Sequence, residues 1–113
     1  MNECVFCRIA THQAPARILF EDDDLMAFHD IAPRAPVHVL VIPKHHIRSL
    51  AEASKEHQEL LGKLLLGVQR AAREAGISHA FRVVTNSGEG AGQSVFHLHF
   101  HVLGGRPMAW PPG

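Results

Sequence analysis

Hydrophobic spacing divides the chain into several short runs of period two and one long run of period 3.6. Near the start, Val5, Phe6 and Ile9 fall on one side of a short helix over residues 5–11. Arg17 to Glu21 and Leu25 to Asp30 read as two strands around Asp22-Asp23-Asp24, a polar tip suited to a hairpin turn. Pro33 and Pro36 interrupt regular structure and predict an extended crossing loop. Val37 to Ile42 is a third strand, almost continuously apolar and ended by Pro43. A long helix follows. Ser54 is its expected N-cap, Leu60, Leu61, Leu64, Leu65, Val68, Ala71, Ala72 and Ala75 its apolar stripe, and Gly76 its stop. Phe81 to Asn86 is a fourth strand, Ser87 to Ser94 a glycine-rich loop, and Val95 to Leu103 a fifth strand.

Short helix, hairpin, strand, long helix, hairpin is the order of an α+β fold with a five-stranded, mainly antiparallel sheet. With 113 residues the chain is expected to form one domain, residues 1–113, in which 104–113 are an irregular tail. An apolar share of 46% is ordinary for a globular protein, and eleven basic residues balance eleven acidic ones. Such a chain has no broad field to hold a polyanion, which argues against nucleic acid and anionic membranes as partners. No apolar run reaches the roughly 20 residues that span a bilayer. Met1-Asn2-Glu3-Cys4 also lacks the basic and apolar regions of a signal peptide, so a cytoplasmic location is expected. There Cys4 and Cys7 are expected to be thiols or metal ligands rather than a disulfide.

The candidate chemistry sits on the last strand. His97, His99 and His101 alternate with Leu98, Phe100 and Val102, which puts three imidazoles on one face at roughly 6.7 Å spacing. That arrangement suits either metal ligation or proton and phosphoryl chemistry near neutral pH. The preceding loop carries Gly88, Gly90, Gly92, Gln93 and Ser94, whose backbone N–H groups are expected to cradle an anion. The ending of a Walker loop is missing. A phosphate site is the better reading of loop and histidines together.

The string Gly92-Gln93-Ser94-Val95-Phe96-His97-Leu98-His99-Phe100-His101-Val102-Leu103-Gly104-Gly105-Arg106 resembles the signature of the histidine triad nucleotide-binding family. Phe28 to Lys44, which contains His29-Asp30-Ile31-Ala32-Pro33 and His38, is similar to the other half of the nucleotide site in that family. The closing Trp110-Pro111-Pro112-Gly113 is similar to the end of many members of the phosphoramidase branch. The resemblance runs from about Val5 to the end of the chain. It implies a hydrolase that cleaves the P–N bond of purine nucleoside 5′-phosphoramidates, with no organic cofactor. His99 would be the nucleophile. His101 and His38 would bind phosphate oxygens and relay a proton to the amine, and His97 would complete the catalytic set. Asn86, Ser94 and the backbone of Gly92 and Gln93 would hold phosphate and leaving group. Asp30 would bind the ribose, with His29 beside it. Val5, Phe6, Ile9, Phe28 and Ile31 would enclose the base.

The resemblance also bears on Cys4-x-x-Cys7. Some members of the wider family complete a tetrahedral zinc site from such a pair and two histidines, here His97 and His46 (or His45). Cys₂His₂ is a closed, structural geometry, and two reduced thiols are the competing reading. In the resembling branch two subunits join into one continuous sheet, so a homodimer is implied, with the tail reaching towards the partner's site. Three other readings stand beside this one. They are a dinucleoside polyphosphate hydrolase of the same fold, a nucleotide-binding regulatory protein with little turnover, and an enzyme with zinc on the triad itself.

Overall fold

A computed structural model describes residues 3–113. Its helices are α1 (Val5–Ala10) and α2 (Gln58–Glu74), and its strands are β1 (Ile18–Glu21), β2 (Leu25–His29), β3 (Val37–Pro43), β4 (Phe81–Val84) and β5 (Phe100–Gly104). The strands form one antiparallel sheet in the order β1-β2-β3-β5-β4. The expected α+β architecture, a five-stranded antiparallel sheet with one main helix, is therefore present.

Local chemistry explains the turns. The β1–β2 tip closes because Asp22 Oδ1 accepts the N–H groups of Asp24 at 2.8 Å and Leu25 at 2.9 Å. Helix α2 stops at Gly76, whose φ of 78° suits a residue without Cβ. Its N–H donates to Arg73 O while that of Ile77 donates to Ala72 O, the paired bonds of a Schellman ending. The other end of α2 departs from expectation. Ser54 heads a 3₁₀ turn over Lys55–His57, closed by His57 N–H to Ser54 O, and α2 begins only at Gln58. The His57 ring accepts the Ser54 N–H at 3.0 Å.

The two faces of the sheet bury different sets. Leu25 and Ala27 of β2, Val39 and Val41 of β3, and Phe100 and Val102 of β5 join Leu64, Val68, Ala71 and Ala72 of α2 in the main core. Met26, Phe28, Leu40 and Ile42 face the other way, against Phe6, Ile9 and Ala10 of α1. This is why β3 is apolar throughout: both of its faces are covered. A six-residue helix is too short to hold itself. Burying Phe6 and Ile9 contributes roughly 2 kcal/mol each and keeps α1 on the sheet.

Strand β5 is shorter than the alternation from Val95 predicts. Ladder pairing starts with Phe100 opposite Val41. Before that point the backbone leaves the β3 ladder: the Leu98 N–H donates to Ile47 O at 2.6 Å, and the His97 ring donates to the carbonyl of Pro43 at the end of β3. The alternation of faces survives without the ladder, since Leu98 still enters the α2-side core. Among the described residues no helix is long and apolar enough to cross a membrane.

Candidate active site

Register sets the site on the face of the sheet away from α2. His101 lies beside Leu40 across the β3–β5 ladder and beside Val84 across the β4–β5 ladder, while His38 lies beside Leu103. Over this face opens a cavity of about 280 Å³. Val5, Phe6 and Ile9 of α1, and Phe28, His29, Asp30 and Ile31 at the end of β2, form its walls. Ser94, His99 and His101 line its polar side. Ile31 is 99% exposed, so it lies at the rim rather than in the core.

Hydrogen bonds decide which nitrogen of each ring carries the proton. The Arg34 N–H donates to His38 Nδ1 at 3.0 Å, so neutral His38 carries its proton on Nε2. That proton is donated to His101 Nδ1 at 2.8 Å, which places the proton of neutral His101 on Nε2. His99 donates its Nδ1 proton to the carbonyl of His97 at 2.7 Å, leaving Nε2 a lone pair. All three rings favour the neutral form. Burial lowers His101 to about 4, the neighbouring His99 and His38 rings disfavouring a further positive charge and Asp30 opposing the shift. Burial also lowers His99 and His38; Asp30 opposes it in both, and Arg34 reinforces it at His38. Asp30 serves the turn as well, since its Oδ1 accepts the Ala32 N–H at 2.8 Å while Oδ2 lies 3.4 Å from His38 Nε2. The set can present an unprotonated ring nitrogen to an electrophile and an N–H donor beside it.

His97 departs from its place among the expected catalytic groups. It is fully buried, it does not line the cavity, and its ring turns towards the cysteines. Its Nε2 proton goes to Pro43 O at 2.8 Å, so its Nδ1 lone pair faces Cys4 Sγ at 3.4 Å and Cys7 Sγ at 3.5 Å. His46 Nδ1 lies 3.1 Å from that nitrogen and 3.3 Å from Cys7 Sγ. All four ligand atoms lie within 4.8 Å of one another. A zinc ion about 2.3 Å from sulfur and about 2.0–2.1 Å from nitrogen would hold a tetrahedral set roughly 3.3–3.8 Å apart, so these residues fit it. The Cys7 N–H, aimed at Cys4 Sγ at 3.4 Å, would stabilise a thiolate there. His46 completes the cluster; the His45 ring lies against His57 instead, with centroids 5.7 Å apart. With His97 drawn to the thiols, the three histidines do not converge on one metal.

The glycine-rich loop also differs from expectation. The N–H of Gly92 donates to Glu89 O, and that of Gln93 to Gly88 O, so neither is available to an anion. The Gln93 side chain is buried and bonds Gly88 N–H, Arg48 O and Val95 O, which makes it the loop's internal brace. Asn86 lines a second cavity beyond His101, away from the first. Sequence reasoning missed Thr85, whose hydroxyl donates to His99 O at 2.7 Å and secures the backbone of that residue. It also missed Arg34 and Arg82, which line the second cavity.

The family model described as HIT domain matches residues 11–108. The chain is 52% identical over 112 residues to an uncharacterized HIT-like protein of Synechococcus elongatus, covering 99% of this chain and 98% of that one. It is 48% identical over 104 residues to Protein HitA of Neisseria gonorrhoeae, covering 92% and 97%. Its structure is similar to that of a HIT family hydrolase from Legionella pneumophila, with a TM-score of 0.96, 45% identity, and 98% and 100% of the two chains covered. A family match across most of the chain, and relatives about half identical over nearly their whole length, show that this protein belongs to the histidine triad (HIT) family.

Proposed function

We propose that the protein hydrolyses purine nucleoside 5′-phosphoramidates to nucleoside monophosphate and amine, as a member of the nucleotide-binding branch of its family. The observation that carries this reading is His99: a buried neutral ring, its Nδ1 proton fixed on a carbonyl, lining a cavity next to a ring that donates from Nε2. The base would lie among Phe6, Ile9, Phe28 and Ile31, and the ribose hydroxyls would donate to Asp30. His99 Nε2 attacks phosphorus and the P–N bond breaks. The departing amine takes the Nε2 proton of His101, whose Nδ1 goes on accepting the His38 Nε2–H bond, and the water of the second step returns a proton to His101. Water then attacks the nucleotidyl-histidine, giving the monophosphate and restoring the histidines. The HIT family hydrolase of Legionella pneumophila supports hydrolysis as the reaction class. Incubation with adenosine 5′-monophosphoramidate should release AMP and ammonia in equal amounts, and no release would overturn the reading.

His101→Ala should reduce kcat by about 10²–10⁴-fold, the usual loss when a general acid is removed. The reduction should be smaller for substrates whose amine leaves without a proton, which a series of leaving groups of graded basicity would read.

Two further parts belong to the same reading. Cys4, Cys7, His46 and His97 would hold a zinc ion that has no open position and so supplies stability rather than chemistry. A homodimer would cover the β4 edge, where Val83 is exposed, and the exposed Leu65 and Leu66 of α2. Sedimentation at micromolar concentration should give twice the chain mass; a monomer would remove the dimer from the proposal.

A further inference from the structure

His101 lines two cavities at once. On its β2 side lies the apolar one already described, and on its β4 side one of about 250 Å³. Arg34, Arg82 and Arg106 line the second together with His38, Asn86 and His101, and no carboxylate is among its lining residues. Arg82 arrives there by register: it stands opposite Leu103 in β5, on the same face as His101. Among the described residues no carboxylate lies within ion-pair distance of any of the three guanidiniums. Arg106 uses Nη1 and Nη2 on the carbonyls of Pro107 and Arg34, which ties the tail to the crossing loop. Arg34 and Arg82 bring positive charge to a concave surface whose lining holds no carboxylate, Asp30 lying 3.4 Å from its His38 but outside that lining.

Reaction geometry says what enters. In a displacement at phosphorus the nucleophile and the leaving group lie roughly in line. With the nucleoside in the apolar cavity and His99 attacking, the amine departs past His101, into the arginine-lined cavity. We infer that this second cavity is the leaving-group subsite and that it selects amines bearing an anionic group, a carboxylate or a phosphate, an inference that rests on the phosphoramidase reading. The guanidinium fork matches either oxyanion in two parallel hydrogen bonds.

The test uses four adenosine 5′-phosphoramidates, of n-butylamine, β-alanine, O-phosphoethanolamine and ethylenediamine. At low salt the two anionic substrates should exceed the butylamine one in kcat/KM by about tenfold or more, and the cationic one should fall below it. Added salt should narrow the gap. Arg82→Gln should bring the anionic-to-neutral ratio close to one, and Arg34→Gln should lower it. The β-alanine and O-phosphoethanolamine arms decide between carboxylate and phosphate. Equal rates for neutral and anionic substrates, or a ratio that survives Arg82→Gln, would overturn the subsite. Should all four be inert, the phosphoramidase reading fails by itself. The subsite is then decided by the Arg82 Nε–H NMR signal of the AMP-bound protein during titration with O-phosphoethanolamine. A saturable shift supports it, and no shift overturns it.

Discussion

Replacing His99 by alanine is expected to slow hydrolysis by at least ~10⁴-fold, because a nucleophile has no substitute once a covalent intermediate is the route. The expectation is specific to this ring. Its Nδ1 proton is held by the His97 carbonyl at 2.7 Å, so the lone pair on Nε2 is the one available to phosphorus. Burial keeps it neutral near pH 7, where a protonated ring would be inert. Nucleoside monophosphate binding should survive, since Phe28, Asp30 and Ser94 remain on the cavity wall. Rapid-quench mass spectrometry should show one nucleotidyl group on the wild-type chain and none on the variant. Turnover above a few per cent of wild type in His99→Ala would eliminate the covalent route.

Replacing both Cys4 and Cys7 by serine should have the largest effect on stability. The native protein, purified without added metal, should carry close to one zinc per chain, and the double variant none. Closed sites of this kind stabilise the folded state by binding it in preference to the unfolded one. A loss of at least about 3 kcal/mol, ~10 °C or more for a domain of this size, is expected on thermal denaturation. The cluster joins the start of α1, the segment after β3 and the approach to β5, so the lost crosslink falls between parts distant in sequence. Native protein without metal, with both thiols titrating and a denaturation midpoint indifferent to the two substitutions, would refute the site.

Most of the fold was legible because its cues are local. Asp22 at a hairpin tip, Gly76 at a helix stop and the short apolar runs of β2 and β3 act through neighbours in sequence, and the structure uses each where the pattern put it. The start of β5 was not legible. Alternation reports which face a side chain takes, but only the path of the partner strand decides whether a ladder bond forms, and Leu98 finds Ile47 instead. Spacing alone did not divide the histidines, since it treats His97, His99 and His101 alike; the family resemblance supplied the division by grouping His97 with Cys4, Cys7 and His46, which come from elsewhere in the chain and do meet it. The glycine loop misled in another way: its composition suggests free amides, whereas those of Gly88, Gly92 and Gln93 are spent on bonds within the loop. Arg82 carried no signal at all until the β4–β5 register placed it on the histidine face.

Residue 97 presents its ring to the cysteine pair and its carbonyl to the ring of His99, and only the ring is encoded by a side chain. Every amino acid offers the same carbonyl. A substitution at position 97 that preserves the local backbone would cost the ligand and spare the tautomer of His99. One that shifts the backbone would disturb both. The two duties are therefore genetically separable, and a scan of side chains alone would record residue 97 as a ligand without detecting what it does for its neighbour two positions on.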